Sequence, residues 1–379
     1  MTKTQSLKIA CFSLLVLILL FFGGKIFQPK WTYETGHRNS PGTAQVAGFY
    51  EEPKDSLDIL VLGSCNMYNA FNPLILWEKY GITSFGFGSS DQEIWTSYYY
   101  LKEALAYQQP KVVVLEALFF TYGNGKAPSE YYNRRSADYM RLSGNKIRLI
   151  DTFITIEEEW RKEHEEERIE PIFNYVNYVF PILRYHSRWN EIGEGDYKYW
   201  REGRAYATKG GVPVFEHAEY EADREYMKTS NVASPIEKRV FEYFIKIKEL
   251  CETNEIELLI VKSPSGCYWN DAQHKAVAQL ADEYDVPFLD FNVEFQSYGF
   301  DLDTDFYSTT GERLNAYGMQ KLSDFLSDYI VENYNIAPRT DDADLVDWWN
   351  QGIERYNEDV LNARESDPFW ERVRLLNKR

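Results

Sequence analysis

Cysteine is scarce in this 379-residue chain: four, at positions 11, 65, 251 and 267, with no Cys-x-x-Cys spacing and one of them inside an apolar leader. That excludes a zinc ribbon and a dense disulfide framework, and leaves room for one Cys251–Cys267 bridge. Histidine is scarce too, at five. His164 stands in His-Glu-Glu-Glu-Arg without the second histidine that a zinc-protease helix needs. No metal and no cofactor is therefore expected. Positive charge is in deficit, 41 Lys and Arg against 59 Asp and Glu for a net −18. This opposes a polyanionic backbone, so nucleic acid is not an expected partner and a neutral or weakly charged one fits better. Internal repeats and low-complexity tracts are lacking. Apolar side chains at 44% and aromatics at 16% are plentiful, which excludes a disordered chain. The length allows one large domain with insertions or two smaller ones.

The longest uncharged stretch, sixteen residues from Ile9 to Gly24, lies between Lys8 and Lys25. As a helix it measures roughly 24 Å, a little short of a hydrocarbon core of roughly 30 Å and at the upper limit of a signal-peptide apolar region. It lacks an Ala-x-Ala cleavage site, so residues 1–27 are read as an uncleaved anchor rather than a removed signal. The simplest arrangement puts the body of the chain outside the cell membrane. Residues 28–57, rich in Gly, Pro, Thr and Glu, read as a tether.

Strands are expected over Asp58–Leu62, Thr83–Phe87, Lys111–Leu115, Glu257–Val261 and Pro287–Asp290; the first and third are apolar runs of the kind buried on both faces. Helices are expected between them. Pro73–Tyr80 is one. A second starts at the capping-box pair Ser90 and Glu93, with Ile94, Tyr98, Leu101 and Leu105 on one face. A third starts at Ser234-Pro235 with Glu237, and Val240, Phe244, Ile247 and Cys251 form its stripe. Further helices cover Asp271–Tyr284 and about Ala316–Asn333. Alternation at this spacing predicts an α/β fold with a central parallel five-stranded sheet over residues 58–335. It is interrupted at about 121–234 by a long helical insertion, where Glu157–Arg161 and Glu158–Lys162 have i, i+4 spacing. The tail, 336–379, carries Trp349, Ile353, Tyr356 and Val360 at helical spacing and should pack back on the domain.

The first strand ends in Gly63-Ser64. At the carboxyl edge of an open parallel sheet this is where ligands bind, although the same two residues also suit a plain turn and helix cap. With Val61-Leu-Gly-Ser64 followed by Tyr68 and Pro73, the chain carries Tyr98-Tyr-Tyr-Leu-Lys-Glu103 before Pro110-Lys-Val-Val-Val-Leu-Glu116. It also carries Pro181-Ile-Leu-Arg-Tyr-His-Ser-Arg-Trp189, and Leu314-Asn315 with Gly318. In these pieces, over roughly Asp58–Asn333, it resembles the SGNH or GDSL hydrolases, a flavodoxin-like family of serine esterases and acyltransferases. The resemblance is closest to the membrane-anchored branch that works beside membrane acyltransferases in O-acetylation of surface polysaccharides.

The resemblance implies Ser64 as the catalytic nucleophile. It implies an oxyanion hole from the N–H groups of Ser64 and Gly88, with Gly86 as the competitor; these glycines equally suit a tight turn. The implied partners are cell-surface polysaccharide, a multi-pass membrane O-acyltransferase and the membrane itself through the N-terminal helix. The last block departs: Thr310-Gly-Glu-Arg313-Leu-Asn315 puts Arg313 where the family has histidine, and arginine cannot serve as a base. The nearest aspartate, Asp305, lies eight residues earlier. Of His37, His186, His217 and His274, His186 is the candidate substitute base, against a structural role. Arg188 and Trp189 suit a sugar surface and suit an ordinary ion pair as well. Lys262, Ser265 and Asn315 are further candidates for substrate binding. Two functions thus stand side by side. One is an extracytoplasmic esterase or O-acyltransferase on acyl esters of envelope glycans. The other is a catalytically degenerate relative that binds glycan or docks on a membrane O-acyltransferase.

Overall fold

The structure, a computed structural model, describes residues 2–30, 43–121, 127–165, 171–197, 208–221 and 227–379. They form two compact units: Met1–Thr43 with Ala127–Arg204, and Ala44–Lys126 with Ala205–Arg379.

The second unit holds a five-stranded, all-parallel sheet, and its strands are β1 (Ile59–Leu62), β2 (Ser84–Gly86), β3 (Val112–Glu116), β4 (Glu257–Lys262) and β5 (Phe288–Asp290). Their order, β2-β1-β3-β4-β5, is the flavodoxin-like one. Every residue of β1 and β3 is buried, which explains why these strands read as unbroken apolar runs. Ile59, Val61, Val112, Val114, Leu259 and Val261 face one side and pack with Phe71, Leu76, Leu322, Leu326 and Ile330. β1 and β3 run in register with Leu62 opposite Leu115, so Gly63 and Glu116 emerge side by side at the carboxyl edge.

Here helices are numbered in chain order. α1 spans Lys3–Phe27 and α2 spans Thr43–Phe49. The short α3 is Cys65–Tyr68, and α4, Pro73–Tyr80, starts on the Asn72 cap and ends at Gly81 with φ +66. α5 is Ile94–Ala104. α6 (Glu130–Ala137), α7 (Gly144–Glu163), α8 (Pro171–Val179) and α9 (Pro181–Tyr185) lie in the first unit, followed by a 3-10 turn at His186–Asn190. The second unit resumes with α10 (Lys238–Thr253), α11 (Asp271–Glu283), α12 (Ala316–Asn333) and α13 (Ala343–Ser366).

Four expectations change in detail. α5 starts at Ile94 with no side-chain cap, because the Ser90 hydroxyl is 2.7 Å from the Tyr68 hydroxyl instead. α10 likewise starts at Lys238, since Ser234 sends its N–H to the Ala272 carbonyl at 2.8 Å. The stretch read as a tether is not loose over its described second part: Phe49 of α2 stacks on Phe87 at 4.3 Å, and Glu52 and Leu57 are buried. The insertion is not one body, since 127–204 belongs to the first unit and 205–234 to the second. The tail packs as expected, with Trp349 5.3 Å from Trp77. All four cysteines are free thiols.

α1 has 25 residues, roughly 37 Å at the α-helical rise, and is long and apolar enough to cross a membrane.

Candidate functional site

Ser64 is the N-cap of α3, with its Oγ accepting the Asn66 N–H at 3.3 Å. It is fully buried, at 0% exposure. Its own N–H does not point to free space: it donates to Glu116 Oε2 at 2.5 Å. The Ser64 hydroxyl is a further partner of that carboxylate. Burial raises Glu116 above the ordinary carboxylate range, and the two Ser64 contacts, Lys262 and Arg313 oppose it. Glu116 Oε1 has no hydrogen-bond partner. A buried acid therefore sits where the resemblance implies that a substrate oxyanion should be held.

The second implied donor is also enclosed. A Cβ on Gly88 would stand 2.2 Å from the Gly63 carbonyl oxygen, so glycine at 88 is demanded by close packing of the β1 and β2 ends. The competitor Gly86 is removed from consideration, because its N–H already donates to the Lys209 carbonyl at 2.9 Å. Beneath them a cavity of only about 10 Å³ is lined by Val61, Gly63, Met67, Tyr68, Phe71, Gly86 and Gly88. That is room for about one water molecule.

Arg313 does reach this place. Its guanidinium lies 5.2 Å from the Tyr307 ring centre and 3.4 Å from Glu312 Oε1, and its charge acts on both Cys65 and Glu116. The position expected to supply a base thus delivers a fixed positive charge. Thr310, where an aspartate would stand, has its hydroxyl 3.2 Å from that of Ser308. Asp305 is committed elsewhere, with both oxygens within 2.9 Å of Lys321 Nζ. Burial pushes the half-buried Cys65 thiol up despite Arg313, so it offers little thiolate at neutral pH.

His186 is exposed in the first unit, and its Nδ1 lies 3.0 Å from the Leu183 carbonyl. Arg188 donates to the Phe27 carbonyl and pairs with Glu191 and Asp196, as the ion-pair alternative has it. Trp189, in contrast, is 74% exposed. Asn315 is a structural cap, because its Oδ1 accepts from Tyr317 and Gly318 while its Nδ2 donates to Thr304 and Phe306. Ser265 is buried and donates to the carbonyls of Cys267 and Glu312. Lys262 is fully buried, bonded to the Ser263 carbonyl at 2.7 Å, and pushed down to about 8, by desolvation above all. His37 lies outside the described residues.

Two groupings escape a reading of the sequence. Glu116 carried a signal, a charge ending the apolar run Val-Val-Val-Leu-Glu116. The other is His274, whose Nδ1 is 2.8 Å from Asp290 Oδ2, while Trp269 donates to the same oxygen at 2.7 Å. The Asp290 contact raises the His274 pKa. This histidine–carboxylate pair hangs from β5, three strand spacings or about 14 Å from β1. His217 pairs with Asp367 at 2.9 Å and stacks on Phe369. No protein-family model matches the chain, and no curated protein matches it either.

Proposed function

We propose that the chain is a membrane-anchored, extracytoplasmic relative of the SGNH or GDSL hydrolases in which Ser64 no longer acts as a nucleophile. It serves O-acylation of envelope polysaccharide by binding the glycan or docking on a membrane O-acyltransferase. The observation that carries this reading is the Ser64–Glu116 contact. A serine esterase needs its backbone donors free for the charge that develops on the substrate carbonyl, and losing one such donor costs about 3 to 4 kcal/mol of transition-state stabilisation. Here that donor is spent on the protein's own carboxylate. Arg313 in place of a base points the same way.

The competing reading, an active esterase or acyltransferase on envelope acyl esters, draws on Lys262. Pushed down to about 8 at the end of β4, this lysine is ionised less firmly than usual and its charge acts on Glu116. Against that reading, Lys262 Nζ donates to the Ser263 carbonyl rather than meeting the Ser64 hydroxyl.

A chromosomal Ser64→Ala strain separates the two. Envelope glycan acylation should match wild type while a deletion strain loses it. A Ser64→Ala strain that behaves like the deletion, with the protein still present in the membrane fraction, sinks the non-catalytic reading.

A further inference from the structure

In the first unit, the end of α1 is closed by cations from outside the helix. The last carbonyls of a helix lack partners within it. Here Lys30 Nζ donates to the carbonyls of Lys25 at 2.6 Å and Gln28 at 2.7 Å, and Arg188 Nη1 donates to that of Phe27. Both cations also face Asp196, at 3.9 and 3.4 Å. About one turn earlier the helix presents Gly23 and Gly24 to α9. A Cβ on Gly24 would be 3.2 Å from Pro181 Cδ, and one on Gly23 would be 3.4 Å from Ile182 Cδ1. The chain from Ile182 to Arg188 thus climbs beside α1 from the level of Gly23–Gly24 to that of Phe27, roughly 5 Å at the helical rise.

This contact begins inside the apolar run. α1 is bare through Leu19 and largely shielded from Leu20 on. The bare uncharged part, Ile9–Leu19, is eleven residues, roughly 16 Å, about half of a hydrocarbon core of roughly 30 Å. Counted from Lys3, with both lysines reaching outward, it is still only roughly 25 Å. A bilayer crossed by α1 must therefore extend to the level of Leu20–Gly24, where α9 lies. At that level, next to Ile182, Leu183 is 43% exposed; next to Arg188, Trp189 is 74% exposed.

We propose that α9 and the turn after it are seated in the bilayer surface, with Leu183 at acyl-chain depth and Trp189 at the headgroup level. The occupant of this face is lipid, and the first unit is a membrane-lying platform fused to the span. Tryptophan favours that interfacial level, and Arg184, half-exposed beside Leu183 and 2.9 Å from Glu130, can turn its charge outward there. The proposal rests on reading α1 as a membrane span.

The test uses the full chain in phosphatidylcholine–phosphatidylglycerol vesicles, made with either plain or brominated acyl chains. Subtracting the emission of Trp189→Phe from that of wild type isolates one tryptophan among ten. That difference emission should be quenched in the brominated vesicles, and Leu183→Trp in the Trp189→Phe background should restore a quenched signal. A carbonate wash of the same vesicles reads the span separately. Protein retained through the wash, with difference emission equal in both lipids, overturns the proposal and leaves the anchor standing; the face then meets something other than lipid, such as the span of a partner protein. Protein released by the wash overturns both.

Discussion

Lys262→Met tests the electrostatics at the carboxyl edge of the sheet. Wild-type Lys262 is fully buried, 5.4 Å from the Trp269 ring centre, and pushed from its ordinary 10.5 down to about 8. Desolvation is the largest cause, opposed by the charges of Asp290, Glu116 and Cys267. The folded chain therefore releases this proton near pH 8, whereas the unfolded chain keeps it to about 10.5. Stability from this group is fully present above 10.5 and is lost as pH falls through 8. A displacement of that size corresponds to about 3 kcal/mol. In a unit of this length it amounts to roughly 6 to 12 °C in melting temperature. Methionine fills similar space and does not titrate; the folded lysine is charged at pH 7 and neutral at pH 10.5, so its attraction to Glu116 and Asp290 is already contained in the displaced pKa. Thermal melts of the detergent-solubilised chain should show the variant gaining on wild type as pH is lowered from 10.5 to 7, by that amount. Other titrating groups cancel in the difference. Parallel melting temperatures across the window would refute the argument, because they would mean that Lys262 is solvated in the folded protein.

Other outcomes follow from the same contacts. Asn315→Ala removes the cap of α12 and leaves one buried and one part-buried carbonyl unserved, so the second unit should lose about 2 to 3 kcal/mol by denaturant unfolding. Gly88→Ala should destabilise by at least 1 to 3 kcal/mol, roughly the cost of overpacking, since the new methyl meets a backbone carbonyl that cannot turn away. Ser64→Ala should cost no more than about 1 to 2 kcal/mol in the same assay, the worth of a buried hydroxyl's hydrogen bonds. Arg313→His combined with Thr310→Asp should leave aryl acetate hydrolysis at the wild-type background, because Glu116 still holds the Ser64 N–H; a rise in turnover from this pair alone contradicts that.

β1 and β3 were legible because a strand buried on both faces reads as a continuous apolar run, and β4 nearly so, with only Glu257 exposed. α12 and the stripe of α10 were legible for the equivalent reason, their helical periodicity. Two helix starts were not, because Ser90 and Ser234 found tertiary partners that outcompeted the local cap. The site divides along the same line. Gly63-Ser64 at the end of β1 could be read locally, but its meaning depends on Glu116, 52 residues away and adjacent only through strand pairing. The ion pairing of Arg188 stood open beside a sugar surface because its carbonyl partner, Phe27, is 161 residues distant.

The account turns on whether Ser64 is activated. Fluorophosphonates react readily only with a serine that has a base and an open oxyanion site, so the intact protein is exposed to such a probe and the modified residue located by peptide mass. The account expects slow labelling whose rate is the same in wild type and Ser64→Ala. Rapid labelling of wild type at Ser64, abolished in Ser64→Ala, would contradict it and return the chain to the serine esterases and acyltransferases.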